Sequence, residues 1–271
     1  MKKILTTVAL IAMVMTLTAM STSSLHAQNT KKQDWAQFYV FKKDNARILN
    51  QMKEDSKKES SMSATEKSKP ENAKTRKGKC PQCEWKARKI KAVLMGDSIT
   101  ELWWDLDSAF FKQNNFVGRG ISGQTTSEML VRFRRDVLDL RPQYVFIMAG
   151  TNDVAENNGK ISLENILGNL KSMVELAKAH NIKPVLCSVP PAAGFIWRKD
   201  LKPAKDIIKL NRMIKEYAGS IGIPYIDYHS VLSDEKGALP AKYSKDGVHP
   251  ILAGYEVMER LLLERFQKID K

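Results

Sequence analysis

From residue 89 to the C-terminus, short apolar runs alternate with stretches of helical periodicity, and no other feature limits the fold as strongly. KAVLM (91–95), FVGRGI (116–121), YVFIMAG (144–150), PVLCSV (184–189) and PYIDY (224–228) are each brief and rich in β-branched or aromatic residues, as buried strands are. Helical patterns fill 126–140, 162–180, 204–219 and 251–267. Ser162, followed by Glu164 and Asn165, supplies a helix start, and Pro203 fits the first position of the next helix. Strands alternating with helices predict a five-stranded parallel sheet covered on both faces. Such sheets bind ligands beyond the carboxyl ends of their strands, so the residues after each strand are where chemistry is expected.

The N-terminal third reads differently. Lys2 and Lys3 precede an apolar run from Ile4 to Met20, then small polar residues and Leu25-His26-Ala27. A basic start, an apolar middle and a small residue at a cut site predict a secretory signal peptide over 1–27, and hence an exported, periplasmic or extracellular protein. No Cys lies near the cut site to carry a lipid anchor. Residues 28–51 hold a helical pattern, with Trp35, Phe38, Phe41 and Ile48 spaced for one face. Residues 52–88 are rich in Lys, Glu, Ser, Thr and Asn with almost no large apolar side chain, which predicts a basic flexible linker. The catalytic domain is expected over 89–271.

The net charge of +14, from 44 Lys+Arg and 30 Asp+Glu, makes nucleic acid an obvious first partner. Its distribution removes that reading. Residues 28–91 carry 18 basic and 8 acidic side chains, while 92–271 carry 24 and 22. The domain that holds the strands is nearly neutral. The charge belongs to the arm, which suits contact with an anionic cell surface rather than a nucleic-acid enzyme.

Four clusters follow the strands or precede the last helix: Gly96-Asp97-Ser98, Gly120-Ile121-Ser122-Gly123, Gly150-Thr151-Asn152-Asp153 and Asp246-Gly247-Val248-His249-Pro250. Acyl transfer needs such a set. A serine hydroxyl is a weak nucleophile until a base takes its proton, and His249 can be that base for Ser98. Asp246, three residues earlier across a glycine turn, can hold the imidazole tautomer. The N–H groups of Ser98 and Gly123 and the side-chain amide of Asn152 can meet an oxyanion.

These clusters carry a resemblance to the SGNH hydrolases, also called the GDSL esterase/lipase family, which is named for four blocks holding Ser, Gly, Asn and His. GDSIT (96–100), RGISGQTT (119–126), AGTND (149–153) and DGVHP (246–250) resemble the four blocks in order, over about residues 89–268. The resemblance implies a flavodoxin-like three-layer α/β/α sandwich. It also implies a Ser98–His249–Asp246 triad, oxyanion donors at Ser98, Gly123 and Asn152, and no cofactor. DWAQF, VGRGISGQT, VLCSVPPAAGFIWR and IDYHSVL are similar to exported bacterial GDSL-like acylhydrolases, some of whose relatives deacetylate sugars. The expected activity is therefore hydrolysis of small acyl esters, acetyl above all, on a carbohydrate. Lysophospholipase or lipase action and sugar O-acyl transfer would use the same triad, and a protein binding anionic surfaces through its arm is the non-enzymatic reading. The basic insertion at 51–89 departs from the family pattern.

Other residues have competing roles. Phe195 and Trp197 follow the fourth strand, where substrate walls are expected. Trp103 and Trp104 either line the pocket or pack a helix. Arg119 either binds an anionic group of the substrate or pairs with an Asp. His229, after Asp227, is the one rival base. His180 suits a helix C-terminus, and Asp97 and Asp153 suit loop shaping by hydrogen bonds. Cys80-Pro-Gln-Cys83 lacks the second pair a zinc site wants, so the expectation is a local disulfide or an idle pair, with no metal bound. Cys187 is expected to be a buried thiol.

Overall fold

The computed structural model describes residues 34–66 and 90–270. The signal segment 1–27, the basic stretch after Glu66 and the Cys80/Cys83 pair lie outside the described residues. The chain divides into two units, Met1–Val40 and Phe41–Lys271.

In the first unit, residues 34–40 form turns rather than the expected helix. The Asp34 carboxylate accepts from the N–H groups of Phe38 and Tyr39, at 2.9 and 3.0 Å, and Gln37 has φ of 56°. A short acidic side chain that takes backbone donors competes with helix formation. In the second unit, helix α1 spans Lys42–Glu66, so helix replaces the expected linker as far as Glu66. A polar composition excludes a buried helix but not an exposed one. Lys, Glu, Gln and Met are good helix formers, and Gln51 Nε2 donates to Asp55 one turn on.

Five strands follow: β1 Ala92–Gly96, β2 Phe116–Gly120, β3 Tyr144–Ile147, β4 Lys183–Cys187 and β5 Tyr225–Ile226. All pair in parallel, in the order β2-β1-β3-β4-β5. Each expected strand forms within a few residues of its predicted bounds. The connecting helices are α2 Ser98–Leu106, α3 Ser108–Gln113, α4 Thr126–Phe133, α5 Thr151–Val154, α6 Leu163–Ala179, α7 Ala204–Ser220, α8 Tyr228–Leu232 and α9 Leu252–Ile269. The helix expected over 126–140 continues past Phe133 as a π-helical turn, Arg134–Leu138. Ser162 caps α6 by accepting from Asn165 N at 3.2 Å, while Pro203 stands at the cap of α7, one position earlier than expected.

Alternation along the strands builds two cores. Val93, Met95, Val145, Ile147 and Leu186 face one layer with Met129, Leu170 and Ile214. Ala92, Leu94, Tyr144, Phe146, Val185 and Cys187 face the other with Trp103, Phe111 and Met258. Successive side chains of a strand point to opposite faces, so runs apolar at every position demand a helical layer on each side. This is the three-layer α/β/α arrangement.

Trp103 resolves to core packing, at 1% exposure, stacked between Phe110 and Tyr255 at 5.4 and 5.5 Å. Trp104 sits against Phe111 at 5.2 Å. Cys187 is buried, and burial pushes its thiol up to about 12. Gly120 is where α2 meets β2: a Cβ there would lie 2.2 Å from Glu101 N and 2.6 Å from Asp97 O. No larger residue lets the helix that begins at Ser98 approach its neighbouring strand so closely. Among the described residues, no helix is long and apolar enough to cross a membrane.

Candidate active site

The first three clusters meet at the carboxyl edge because their strands are neighbours. β1 delivers Asp97 and Ser98, β2 on one side delivers the 121–124 loop, and β3 on the other delivers Asn152 in α5. Ser98 is the first residue of α2, half-buried, with Asp97 capping the helix by accepting from Ile99 N at 3.0 Å. A helix start presents unpaired N–H groups and a partial positive charge, which favour negative charge on nearby oxygen.

The fourth cluster arrives just before α9. Ser98 Oγ lies 2.9 Å from His249 Nε2, and His249 Nδ1 lies 2.6 Å from Asp246 Oδ2. Asp246 is held by its own turn, accepting from Ser244 Oγ at 3.0 Å, Val248 N at 2.9 Å and His249 N at 2.8 Å. Burial pushes the Asp246 carboxyl up, but the hydrogen bonds from the His249 ring and the two backbone N–H groups outweigh it and hold the group at about 2. An ionised Asp246 accepts a hydrogen bond from Nδ1–H, which leaves Nε2 as an acceptor for the serine hydroxyl. The exposures of His249 and Asp246, 23% and 28%, leave the relay open to an incoming molecule.

Beside Ser98, Gly123 has φ of +78°, in the left-handed region where a side chain is strained. Nothing lies within 4 Å of where its Cβ would be, and its N–H has no acceptor among the described residues. Asn152, 3% exposed, donates one N–H to Gln124 O at 3.0 Å and accepts on Oδ1 from Asn157 Nδ2 at 2.8 Å. The 121–124 loop is pinned further by Glu101, whose carboxylate takes both Ser122 N and Ser122 Oγ, and by Arg132 Nε, which donates to Gln124 Oε1. Glu101, Arg132 and Asn157 belong to none of the four blocks, and Gln124 lies within the second without having been singled out. Contacts across elements bring them to the site, and sequence reasoning missed them.

Asp97 and Asp153 lie just beneath. Both are buried, and burial pushes each up to about 6. Asp153 accepts from Thr126 N and Thr126 Oγ1, the latter at 2.6 Å, which ties α5 to the start of α4.

Of the expected wall residues, Trp197 is 41% exposed, with its ring 6.3 Å from that of His249. Phe195 is 2% exposed and stands 5.1 Å from Trp197. It braces the wall and has no open face of its own. A cavity of about 380 Å³ beside them is bounded by Ile196, Lys199, Leu201, Lys202 and Asp246. A larger one, about 580 Å³, lies at the opposite ends of β3, β4 and β5 and contains none of these residues.

Arg119 is buried and ion-paired rather than open at the site. It is 2% exposed, bonded to Asp44 Oδ2 at 2.8 Å and Asn45 Oδ1 at 2.7 Å, with its guanidinium 4.5 Å from the Phe41 ring centroid. The side chains of Phe41, Asp44 and Asn45 close over it, and it pairs with an Asp. Asp227 uses its carboxylate to cap α8, accepting from Ser230 N at 3.0 Å and Ser230 Oγ at 2.8 Å, rather than to meet the His229 ring. β5 ends at Ile226, so strand alternation never aligns the two. His180 caps α6, its Nδ1 2.9 Å from Leu176 O. Among the described residues, no group of three or more His, Cys, Asp or Glu side chains could hold a metal ion.

Comparison with known proteins identifies the family. Residues 94–257 match the GDSL-like Lipase/Acylhydrolase family. The crystal structure of a GDSL-like lipase from Bacteroides thetaiotaomicron is similar, with 38% identity and a TM-score of 0.71, covering 87% of this chain and 99% of that one. An acetylxylan esterase from Geobacillus stearothermophilus is 26% identical over 156 residues, 54% of this chain and 69% of that one. The lipoprotein YqeF of Bacillus subtilis is 41% identical over 80 residues, 28% of this chain. The chain spans 33% of YqeF's length. The family match covers more than half of the chain and every block of the site, and the chain belongs to the GDSL-like lipase/acylhydrolase family.

Proposed function

We propose that the protein is an exported serine esterase that removes small acyl groups, acetyl above all, from carbohydrate. The observation that carries the serine assignment is the hydrogen-bonded series Ser98 Oγ, His249 Nε2, His249 Nδ1 and Asp246 Oδ2, at 2.9 and 2.6 Å. His249 takes the proton as Ser98 Oγ attacks the ester carbonyl carbon. The carbonyl oxygen becomes an oxyanion, met by the N–H groups of Ser98 and Gly123 and the amide of Asn152. His249 then gives its proton to the departing alcohol oxygen. Water, activated by the same imidazole, cleaves the acyl-enzyme and releases the acid. Asp246 stays ionised and stabilises the imidazolium.

The acetyl and carbohydrate parts rest on other observations. Trp197 offers an exposed aromatic face beside His249, a surface suited to an amphipathic ring with apolar C–H faces. The Geobacillus relative is named as an acetylxylan esterase. Export rests on the pattern of residues 1–27 and on a relative named as a lipoprotein. Contact of the basic arm with an anionic envelope surface rests on the charge of residues 28–91 alone.

The test is release of p-nitrophenol from acetyl, butyryl and longer esters, beside acetate release from acetylated oligosaccharides, with Ser98→Ala as control. The reading expects acetyl preference and loss of turnover in the variant. Hydrolysis that survives Ser98→Ala removes the serine assignment, and a preference for long chains moves the reading to a lysophospholipase or lipase.

A further inference from the structure

We propose that Asn157 is a positioning residue that sets the orientation of the Asn152 amide, and that Trp197 fixes it through Asn157. The inference rests on the oxyanion role given to Asn152 above. A terminal amide has nearly the same shape when turned by 180°, so shape alone does not decide whether nitrogen or oxygen faces the reacting carbonyl. For Asn152 that choice decides whether an oxyanion meets a donor or an acceptor.

The hydrogen bonds form a directed series. Trp197 Nε1 donates to Asn157 Oδ1 at 3.0 Å, Asn157 Nδ2 donates to Asn152 Oδ1 at 2.8 Å, and Asn152 Nδ2 donates to Gln124 O at 3.0 Å. An indole N–H can only donate, and a backbone carbonyl can only accept. The two ends therefore admit one direction, and both amides between them must follow it. Asn152 then keeps its nitrogen toward Gln124, with a second N–H left for the oxyanion. The same Asn157 nitrogen also makes a long contact, 3.4 Å, to Gly123 O, so it touches both parts of the pocket named as donors. Trp197 has two functions in this scheme. Its face meets the substrate, and its N–H terminates the series that orders the oxyanion pocket.

Asn157→Asp tests the direction. The introduced carboxylate still accepts from Trp197 but has no proton for Asn152 Oδ1, so the Asn152 amide turns its nitrogen toward the new acceptor. With p-nitrophenyl acetate, kcat should fall about 10²-fold, the scale of losing one oxyanion donor, while KM stays within about threefold. The deficit relative to the unsubstituted enzyme should narrow as pH falls, because protonating the new carboxyl restores a donor. A role in folding alone would not give that pH signature. Trp197→Phe, which keeps a ring and removes the N–H, should lower kcat by about three- to tenfold. A kcat within twofold in Asn157→Asp, or a deficit independent of pH, overturns the inference. If Ser98→Ala retains hydrolysis, the serine reading falls first. If Ser98→Ala is inactive and Asn157→Asp is not impaired, only the orientation of Asn152 has been misjudged.

Discussion

At the carboxyl edge of the sheet, Asp246 and His249 form a charge-assisted pair with exposures of 28% and 23%, whereas the pair Arg132–Asp136 has exposures of 0% and 5%. Both are short, at 2.6 and 3.0 Å, and both are elaborated by further hydrogen bonds. The open pair ends on the half-buried hydroxyl of Ser98. The closed one ends on backbone: Arg132 Nη2 donates to Gly96 O and Arg119 O, the carbonyls at the ends of β1 and β2, each at 3.0 Å. Asn45 of α1 closes its far side, with Nδ2 2.7 Å from Asp136 Oδ1 and Oδ1 accepting from Arg119. On the triad reading the open pair moves a proton, while the closed one braces the strand ends beside it. Exposure, more than residue type, separates the two roles.

Disrupting each pair should produce opposite phenotypes. The largest effect is expected from His249→Ala. Under the triad reading it should lower kcat/KM by roughly 10⁴-fold or more, while the urea midpoint of unfolding changes little. An equal loss of stability would place His249 on the structural side of the comparison. Arg132→Met should cost about 3–5 kcal/mol of stability, measured by urea unfolding, because it leaves Asp136 buried without its cation. A smaller loss of about 1–3 kcal/mol is expected from Asn45→Ala, which removes a donor from Asp136 and an acceptor from Arg119 while their charges remain paired elsewhere. Either variant with unchanged stability would show that the buried network does not brace the strand ends.

The subtlest contrast is in pH. The Asp246 carboxyl is held at about 2, below its ordinary 3.8, so its contribution to stability is complete above 3.8 and lost as pH falls through about 2. Asp97 runs the other way. Its carboxyl is pushed up to about 6, so the fold favours the protonated form; that contribution is complete below 3.8 and lost as pH rises through about 6. Urea midpoints between pH 4 and 7 should fall less steeply in Asp97→Asn, which keeps an acceptor for Ile99 N and removes the titration. An unchanged slope would assign the loss to Asp153 or another acid.

The open pair was legible in the sequence and the closed one was not. GDSIT, AGTND and DGVHP stand directly after strands or before a helix, and their side chains are of the types acyl transfer requires. Arg132, Asp136 and Asn45 stand inside helical stretches where charged side chains ordinarily face water. What makes them a network is the fold, which buries that face of α4 under α1. Arg119 illustrates the gap: beside a recognisable block it could have served substrate, and only the position of Asp44, 75 residues earlier, decides otherwise. The strands were readable because an apolar run that is buried on both sides has one architecture. The extent of α1 was not, because exposed helix and flexible linker draw on the same residues.

The parallel order β2-β1-β3-β4-β5 has a consequence for how such a chain becomes competent. Ser98, Gly123 and Asn152 each follow directly on one of the first three strands, which are neighbours in the sheet. Asp246 and His249 are carried by the segment just before α9, the last helix described. Under the triad reading, the proposed nucleophile and oxyanion donors are therefore synthesised well before the proposed base. On the triad reading, hydrolysis requires the segment before α9 to dock and bring the His249 imidazole to within 2.9 Å of the Ser98 hydroxyl.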